Sequence, residues 1–206
     1  MAHADKEYKV ILVGDPAVGK TAFVRRFVTN QFDTGYRATM GVEYSSKIVH
    51  VDGTSVKINL WDIVGQERFR SMTRSFYKMA SGAFILCDVT QHDTLDQAIA
   101  WKRDVDEKVS LPSGKSLPCL LIANKIDLEA QMTDDKISSV AQTRGFYSFY
   151  KTSVKENLNV EESVISLSRE MLRLDKAGAM LPVSSSSSNN LILDSEQKSA
   201  GNSCNC

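Results

Sequence analysis

The chain has 206 residues, which is enough for one α/β domain with a sizeable core. Its 25 Lys and Arg residues balance 25 Asp and Glu residues, so the overall charge indicates no nucleic-acid partner. The polar N-terminus, residues 1–7, does not look like a signal peptide, and no apolar run approaches the ~20 residues of a membrane helix. We therefore expect a cytoplasmic protein that meets any membrane from its surface.

The first predicted strand, residues 8–13, and the first predicted helix, residues 20–29, enclose a phosphate-binding loop. Residues 14–21 read GDPAVGKT, which is the G-x-x-x-x-G-K-[ST] pattern of the P-loop. In this motif backbone N–H groups and the helix N-terminus face phosphate oxygens. Lys20 is predicted to bind the β- and γ-phosphates, and the Thr21 hydroxyl to ligate Mg²⁺. The predicted nucleotide-binding residues here are Asp15, Ala17, Val18, Gly19, Lys20, Thr21 and Ala22. The motif alone does not distinguish ATP from GTP, or a kinase from a switch.

A β-hairpin is predicted after a polar, irregular stretch. Residues 44–51 and 56–61 flank Asp52-Gly53, a dipeptide typical of tight hairpin turns. The second strand runs into Trp61-Asp62-Ile63-Val64-Gly65-Gln66-Glu67. Asp62 suits an indirect Mg²⁺ contact, and Gly65 can bring a backbone N–H to the terminal phosphate. Gln66 can orient an attacking water without itself titrating, which makes it, with Lys20, a candidate catalytic residue.

The remaining elements alternate between strands and helices. Apolar runs containing Cys87 and Cys119 predict buried strands, with both cysteines as small core residues. This order predicts an α/β fold: a mostly parallel six-stranded sheet with one antiparallel edge strand and helices on both faces. Ligands bind such sheets beyond the carboxyl ends of the strands. Further strands are predicted at 83–89, 119–123 and 146–151, and helices at about 94–109, 133–144 and 160–174.

The strand that begins at Cys119 ends in Asn124-Lys125-Ile126-Asp127. The Asp127 carboxylate can accept two hydrogen bonds from the N1–H and exocyclic amine of guanine. Adenine would leave that carboxylate unpaired, a mismatch that discriminates by ~10⁴-fold. The Lys125 stem can lie along the base. Backbone N–H groups of Ser153, Val154 and Lys155, after the last strand, are further candidates for contacting the base.

In motif content and order, residues 8–174 resemble the Ras-like small GTPases, and the Rab family most closely. The resemblance implies a small G domain in which Thr39 binds Mg²⁺ and senses the γ-phosphate. It also implies that Phe32 packs on the guanine and that Tyr36 covers the phosphates. Ile63 and the loop at 111–118 further resemble the Rab branch that serves lysosome-related organelles. The effector surface implied by the resemblance consists of Tyr44, Trp61 and Phe76.

Pro16, Ala17, Ile63 and Val64 depart from the family pattern, and Pro16 and Val64 bear on hydrolysis. Pro16 removes one N–H donor from the P-loop, and Val64 replaces a smaller residue before Gly65. We expect nucleotide binding to survive, whereas hydrolysis can be slowed. A guanine-nucleotide switch that hydrolyses GTP slowly is therefore the main hypothesis, since no arginine finger is evident. A hydrolysis-poor, GTP-locked scaffold is the alternative. A P-loop metabolic kinase is disfavoured because no arginine-rich lid segment is found.

The expected domain organisation is a flexible N-terminus at 1–7, a G domain at 8–174 and a disordered tail at 175–206, where a serine run occurs. The terminal Cys204-Asn205-Cys206 resembles the double geranylgeranylation signal of Rab proteins. Two lipid chains would anchor the protein stably to the cytosolic face of intracellular membranes. The resemblance also implies an exchange factor, a GTPase-activating protein, a prenylation escort, a GDP-dissociation inhibitor and effectors as partners.

Overall fold

The computed structural model describes residues 4–33, 35, 41–63 and 73–180, with the side chains of residues 73 and 74 left out. Seven residues singled out from the sequence lie outside these ranges: Tyr36, Thr39, Val64, Gly65, Gln66, Cys204 and Cys206. Their predicted roles remain predictions. None of the helices in the described ranges has the length and apolarity that crossing a membrane requires.

Six strands and five helices are present in these ranges. The strands are β1 (Lys6–Gly14), β2 (Val42–Val51), β3 (Thr54–Ile63), β4 (Gly82–Asp88), β5 (Cys119–Asn124) and β6 (Ser148–Thr152). The helices are α1 (Lys20–Thr29), α2 (Thr73–Tyr77), α3 (Asp93–Lys108), α4 (Asp134–Thr143) and α5 (Val160–Lys176). The sequence pattern did not predict the short helix α2.

The strands form one sheet in the order β2-β3-β1-β4-β5-β6. All neighbours pair in parallel except β2 with β3, which form the antiparallel hairpin at one edge. Asp52 and Gly53 both adopt positive φ angles, 49° and 79°, at the turn of this hairpin. Two positive φ angles match the right-handed twist of the flanking strands, which explains why Asp-Gly occupies the turn. The predicted fold class is confirmed.

Helices cover both faces of the central strands. Helices α1 and α5 pack together and contact strands of the sheet, while α2 and α3 contact each other and strands β3, β1 and β4. Every residue of β4 and β5 is buried, because both faces of these strands are covered. Cys87 and Cys119 are fully buried in the core, as predicted.

The position of β1 in the sheet determines where a functional site is expected. The chain runs from β1 through α1 to the hairpin on one side, and then crosses to β4 on the other side of β1. The direction of the strand order therefore reverses at β1. Ligands of open α/β sheets bind at such a reversal, beyond the carboxyl ends of the strands. The loop at 14–19 lies at that point.

Candidate functional site

Two glycines shape the loop between β1 and α1. Gly14 and Gly19 have φ angles of +143° and +105°, which side chains rarely tolerate. A Cβ at Gly14 would lie 2.5 Å from the Leu86 carbonyl oxygen, and one at Gly19 would lie 2.4 Å from Asn124 Nδ2. Glycine is therefore required at both positions for the loop to pack against the ends of β4 and β5.

Lys20 begins helix α1 beneath this loop. The N-cap residue is Gly19, which has no side chain to cap the helix, so the first N–H groups suit an anion. The Lys20 ammonium donates hydrogen bonds to the backbone oxygens of Gly14 and Asp15, each at 2.8 Å. Burial lowers the pKa of Lys20 to about 8, although the carboxylates of Asp62 and Asp15 oppose this shift. A bound phosphate would supply the negative charge that this buried ammonium requires.

Thr21 and Asp62, both predicted to serve a magnesium site, contact each other near Lys20. The Thr21 hydroxyl donates a short hydrogen bond to Asp62 Oδ2. Asp62 is buried, and its Oδ1 has no hydrogen-bond partner among the described residues. Burial raises the pKa of Asp62, against the opposing effects of Thr21 and Lys20.

This pair fits a magnesium ion. Mg²⁺ is typically held by one or two protein oxygens together with phosphates and water. The unpaired Asp62 oxygen and the Thr21 hydroxyl supply such oxygens. Within the described ranges no cluster of three or more His, Cys, Asp or Glu side chains could hold a metal by itself. The donor set therefore suits an ion that arrives with a phosphate ligand.

Asn124 connects the phosphate loop with the other end of the site. Its Nδ2 donates to the Val18 carbonyl oxygen at 2.9 Å. Its Oδ1 accepts from Thr152 Oγ1 at 3.1 Å and from the Val154 N–H at 3.3 Å. One buried amide thus joins three segments that are distant in sequence. The observed contacts of the Asn124 side chain are with the protein itself. This structural role was not predicted from the sequence.

Asp127 is held in a half-buried position beside the last strand. Ser153 Oγ donates to Asp127 Oδ1 at 2.6 Å, and Lys155 Nζ lies 3.9 Å from Oδ2. The backbone N–H of Ser153 bonds the Leu158 oxygen at 3.2 Å, and that of Val154 bonds Asn124. The expectation that these two N–H groups are available to the base is therefore corrected. Ser153 acts here through its hydroxyl.

Asp88, at the end of β4, is a residue that the motif analysis missed. Its Oδ2 lies 2.6 Å from Lys125 Nζ, and its Oδ1 accepts from both the N–H and the hydroxyl of Thr90. Asp88 is buried. The backbone of Lys125 has a positive φ of 71°. The ion pair fixes the direction of the Lys125 stem. An aspartate at a strand end carries no spacing signal, so only the paired lysine could have suggested this role.

Arg26, on α1, is a second residue that sequence reasoning missed. Its guanidinium donates to the carbonyl oxygens of Val154 and Lys155, each at 2.8 Å. It also lies 5.8 Å from the ring centre of Phe32, which is 37% exposed. Arg26 therefore places Phe32 on the same side of the molecule as the segment after β6. No motif marks an arginine at this position in a helix.

The hairpin presents an aromatic surface. Tyr44 and Trp61 are cross-strand partners whose rings meet edge to face at 5.8 Å, and Tyr44 is 54% exposed. The Lys9 ammonium lies 4.1 Å above the Trp61 ring. Phe76 belongs to α2, which packs against β3, and is partly buried against the core. Two of the three predicted surface aromatics are therefore in direct contact.

A P-loop at the reversal point of a parallel sheet, a buried aspartate beside its threonine and a held carboxylate after β5 define a P-loop nucleotide-binding protein with a small G-domain fold. Comparison with known proteins gives the family. The Ras family model matches residues 9–173, and the chain belongs to this family of GTP-hydrolysing small GTPases.

Similar proteins are Rab proteins. Ras-related protein Rab-7L1 of Rattus norvegicus is 41% identical over 206 residues, covering 99% of this chain and 100% of the relative. The Rab-7L1 of Homo sapiens is 43% identical over 175 residues, covering 84% and 86%. Ras-related protein Rab-32 of Homo sapiens is 39% identical over 168 residues, covering 80% and 75%. These relatives place the chain among the Rab GTPases, the GTP-binding switches of vesicle trafficking.

Proposed function

We propose that this protein is a Mg²⁺-dependent guanine-nucleotide switch that hydrolyses GTP slowly and, in its GTP form, recruits effectors to a membrane. One observation carries the proposal. Lys20, the Thr21–Asp62 pair and the Ser153-held Asp127 lie at the carboxyl edge of one sheet, and Asn124 connects the phosphate and base ends. Membership of the Ras family supports the same proposal.

Each residue has a distinct part in the proposed site. Lys20 and the α1 N-terminus hold the phosphates, and Asp127 accepts the polar edge of guanine while Lys125 covers the ring. Thr21, Thr39 and Asp62 would hold Mg²⁺, either directly or through water. The ion would neutralise charge on the phosphate oxygens. Gln66 would orient the attacking water, with Gly65 and Tyr36 near the terminal phosphate. Thr39, Gln66, Gly65 and Tyr36 enter this proposal from the sequence.

The proposed partners follow from the family. An exchange factor and a GTPase-activating protein would set the nucleotide state, and effectors would bind Tyr44, Trp61 and Phe76. Cys204 and Cys206 would carry geranylgeranyl groups, delivered by an escort and extracted by a GDP-dissociation inhibitor. Because two chains anchor where one binds only marginally, the protein would stay on the cytosolic face of an intracellular membrane. Similarity to Rab-32 and Rab-7L1 supports a lysosome-related organelle as that membrane.

The base assignment is tested by Asp127→Asn. The substitution keeps the shape of the side chain but removes the negative charge that accepts two guanine donors. Two charge-assisted hydrogen bonds contribute about 1.5–3 kcal/mol each, so affinity for GDP should fall roughly 10²- to 10⁴-fold. Competition of GDP and ADP against a fluorescent guanine nucleotide measures the effect.

Ser153→Ala is the matched control, because it removes the 2.6 Å bond to Asp127 but keeps the carboxylate. We expect a loss of about tenfold or less for this variant. An Asp127→Asn protein with unchanged preference for guanine over adenine would show that the base lies elsewhere.

A further inference from the structure

A hydrogen bond connects helix α3 with the P-loop. The indole Nε1–H of Trp101 donates to Asp15 Oδ1 at 3.1 Å, across 86 residues of chain. Trp101 is 1% exposed. A buried indole N–H needs an acceptor, and Asp15 supplies one. The P-loop pattern places no requirement on the side chain at position 15, so this contact is not explained by the motif.

The Asp15 carboxylate poses an electrostatic problem for a phosphate site. The backbone oxygen of Asp15 accepts from Lys20 Nζ at 2.8 Å. Its carboxylate belongs to the same residue as that oxygen, and its negative charge raises the pKa of Lys20 against the effect of burial. Nucleotide phosphates would bind the same ammonium. An aspartate beside them repels them unless its charge is directed away and hydrogen-bonded.

Trp101 is well placed to orient the Asp15 carboxylate. It belongs to the 16-residue helix α3, which packs against β1 and β4, so the position of the indole is fixed by the core. In the part of the chain that the structure describes, Asp15 forms no ion pair, and the indole is the side-chain donor on its carboxylate. The bond therefore keeps the carboxylate on the side of the loop that faces α3.

We propose that Trp101 is a positioning residue that holds the Asp15 carboxylate towards α3, and that this bond sets how strongly the site prefers GTP over GDP. The inference rests on the guanine-nucleotide function proposed above. A released carboxylate would repel both nucleotides. It would repel GTP more, because GTP carries one more phosphate group and more negative charge.

The test compares affinities for GDP and for a non-hydrolysable GTP analogue, measured from binding and release of fluorescent nucleotides in the presence of Mg²⁺. Trp101→Phe removes the donor but keeps an aromatic ring. We expect the ratio of GTP-analogue affinity to GDP affinity to fall roughly fivefold, the effect of one added like-charge contact in a water-like medium. In the double variant Trp101→Phe with Asp15→Asn the charge is absent, and the ratio should return to the wild-type value.

A matched pair at the other partner avoids any change in the core. Asp15→Glu keeps the negative charge but displaces it from the indole. Asp15→Gln has a side chain as long as that of glutamate but without the charge. The ratio should be lower for the glutamate variant than for the glutamine variant.

Three results would overturn the proposal: an unchanged ratio in Trp101→Phe, a double variant as low as the single one, or equal ratios for the glutamate and glutamine variants. If Trp101→Phe does not fold, the Asp15 pair decides alone. Wild-type protein that binds neither nucleotide would instead overturn the proposed function, and this is measured first.

Discussion

Tyr8 illustrates how a single residue at the start of β1 joins the N-terminal strand to the last helix. Its hydroxyl donates to Asp175 Oδ2 at 2.9 Å, and Lys6 Nζ lies 2.8 Å from the same oxygen. Burial, with Asp175 as a further cause, raises the pKa of Tyr8 well above its usual range. The phenol therefore keeps its proton in the folded state under conditions that ionise it in the unfolded chain.

Replacement of Tyr8 by Phe tests this bond. At pH 7 we expect the variant to be less stable by about 1 kcal/mol, the net value of one hydrogen bond. Above pH 10 the unfolded wild-type chain loses the Tyr8 proton while the folded state keeps it. Wild-type stability then falls, by about 1.4 kcal/mol per pH unit from this residue, and the gap to the variant closes. Urea unfolding of both proteins at pH 7, 9.5, 10.5 and 11 measures the gap, which would stay constant if Tyr8 were not the cause.

At the scale of elements, the loop between β1 and α1 depends on contacts with β4 and β5 as much as on its own glycines. Gly19 combines a positive φ with a close approach to Asn124, whose amide holds the Val18 oxygen. Other glycines have a positive φ but no neighbouring atom close to an added Cβ. Gly114, with φ +79°, has no atom within 4 Å of an added Cβ.

These two glycines give a matched pair of substitutions. Gly19→Ala should displace the Asn124 amide and the loop, because a Cβ there would lie only 2.4 Å from Nδ2. We expect nucleotide affinity to fall at least tenfold, since the backbone N–H groups would no longer point at the phosphates. Gly114→Ala carries similar backbone strain and should leave affinity unchanged. Titration of fluorescent GDP measures both, and equal affinities would show that loop geometry does not depend on Asn124.

For the whole molecule, the open question is whether the protein completes a GTP cycle or holds GTP persistently. Pro16 and Val64 favour persistent GTP binding, because Pro16 removes an N–H donor from the phosphate loop and Val64 places a larger side chain before Gly65. The family supports the first, since its members hydrolyse GTP. Single-turnover hydrolysis of bound GTP distinguishes them.

We expect a slow wild-type rate that falls to background in Gln66→Leu, because leucine cannot orient a water. Val64→Ala should raise the rate, about tenfold if the larger side chain hinders placement of Gln66. Retained nucleotide affinity in both variants is the control. A wild-type rate already at background, rescued by Val64→Ala, would instead establish the GTP-locked scaffold.

Local patterns in the sequence were sufficient for the fold class, and they predicted a phosphate-binding end of the site. Alternation of apolar runs predicted the parallel sheet, and Asp52-Gly53 predicted the antiparallel hairpin, because both signals act over a few residues. The position of the motifs at strand ends predicted that Lys20, Thr21 and Asp62 serve one site, since carboxyl ends of parallel strands share one edge. The short helix α2 was missed, because five residues among polar neighbours give no clear periodicity.

Only the tertiary structure decided which side chains hold the site in place. Trp101 with Asp15, Asn124 with Val18, and Arg26 with Val154 join residues 86 to 128 positions apart. Such pairs leave no trace in local spacing, because each partner alone is an ordinary helix or loop residue. The sequence thus predicted which groups would contact the nucleotide in the proposed site, through motifs whose chemistry is local. Long-range packing determined how those groups are oriented, since orientation depends on neighbours that only folding brings together.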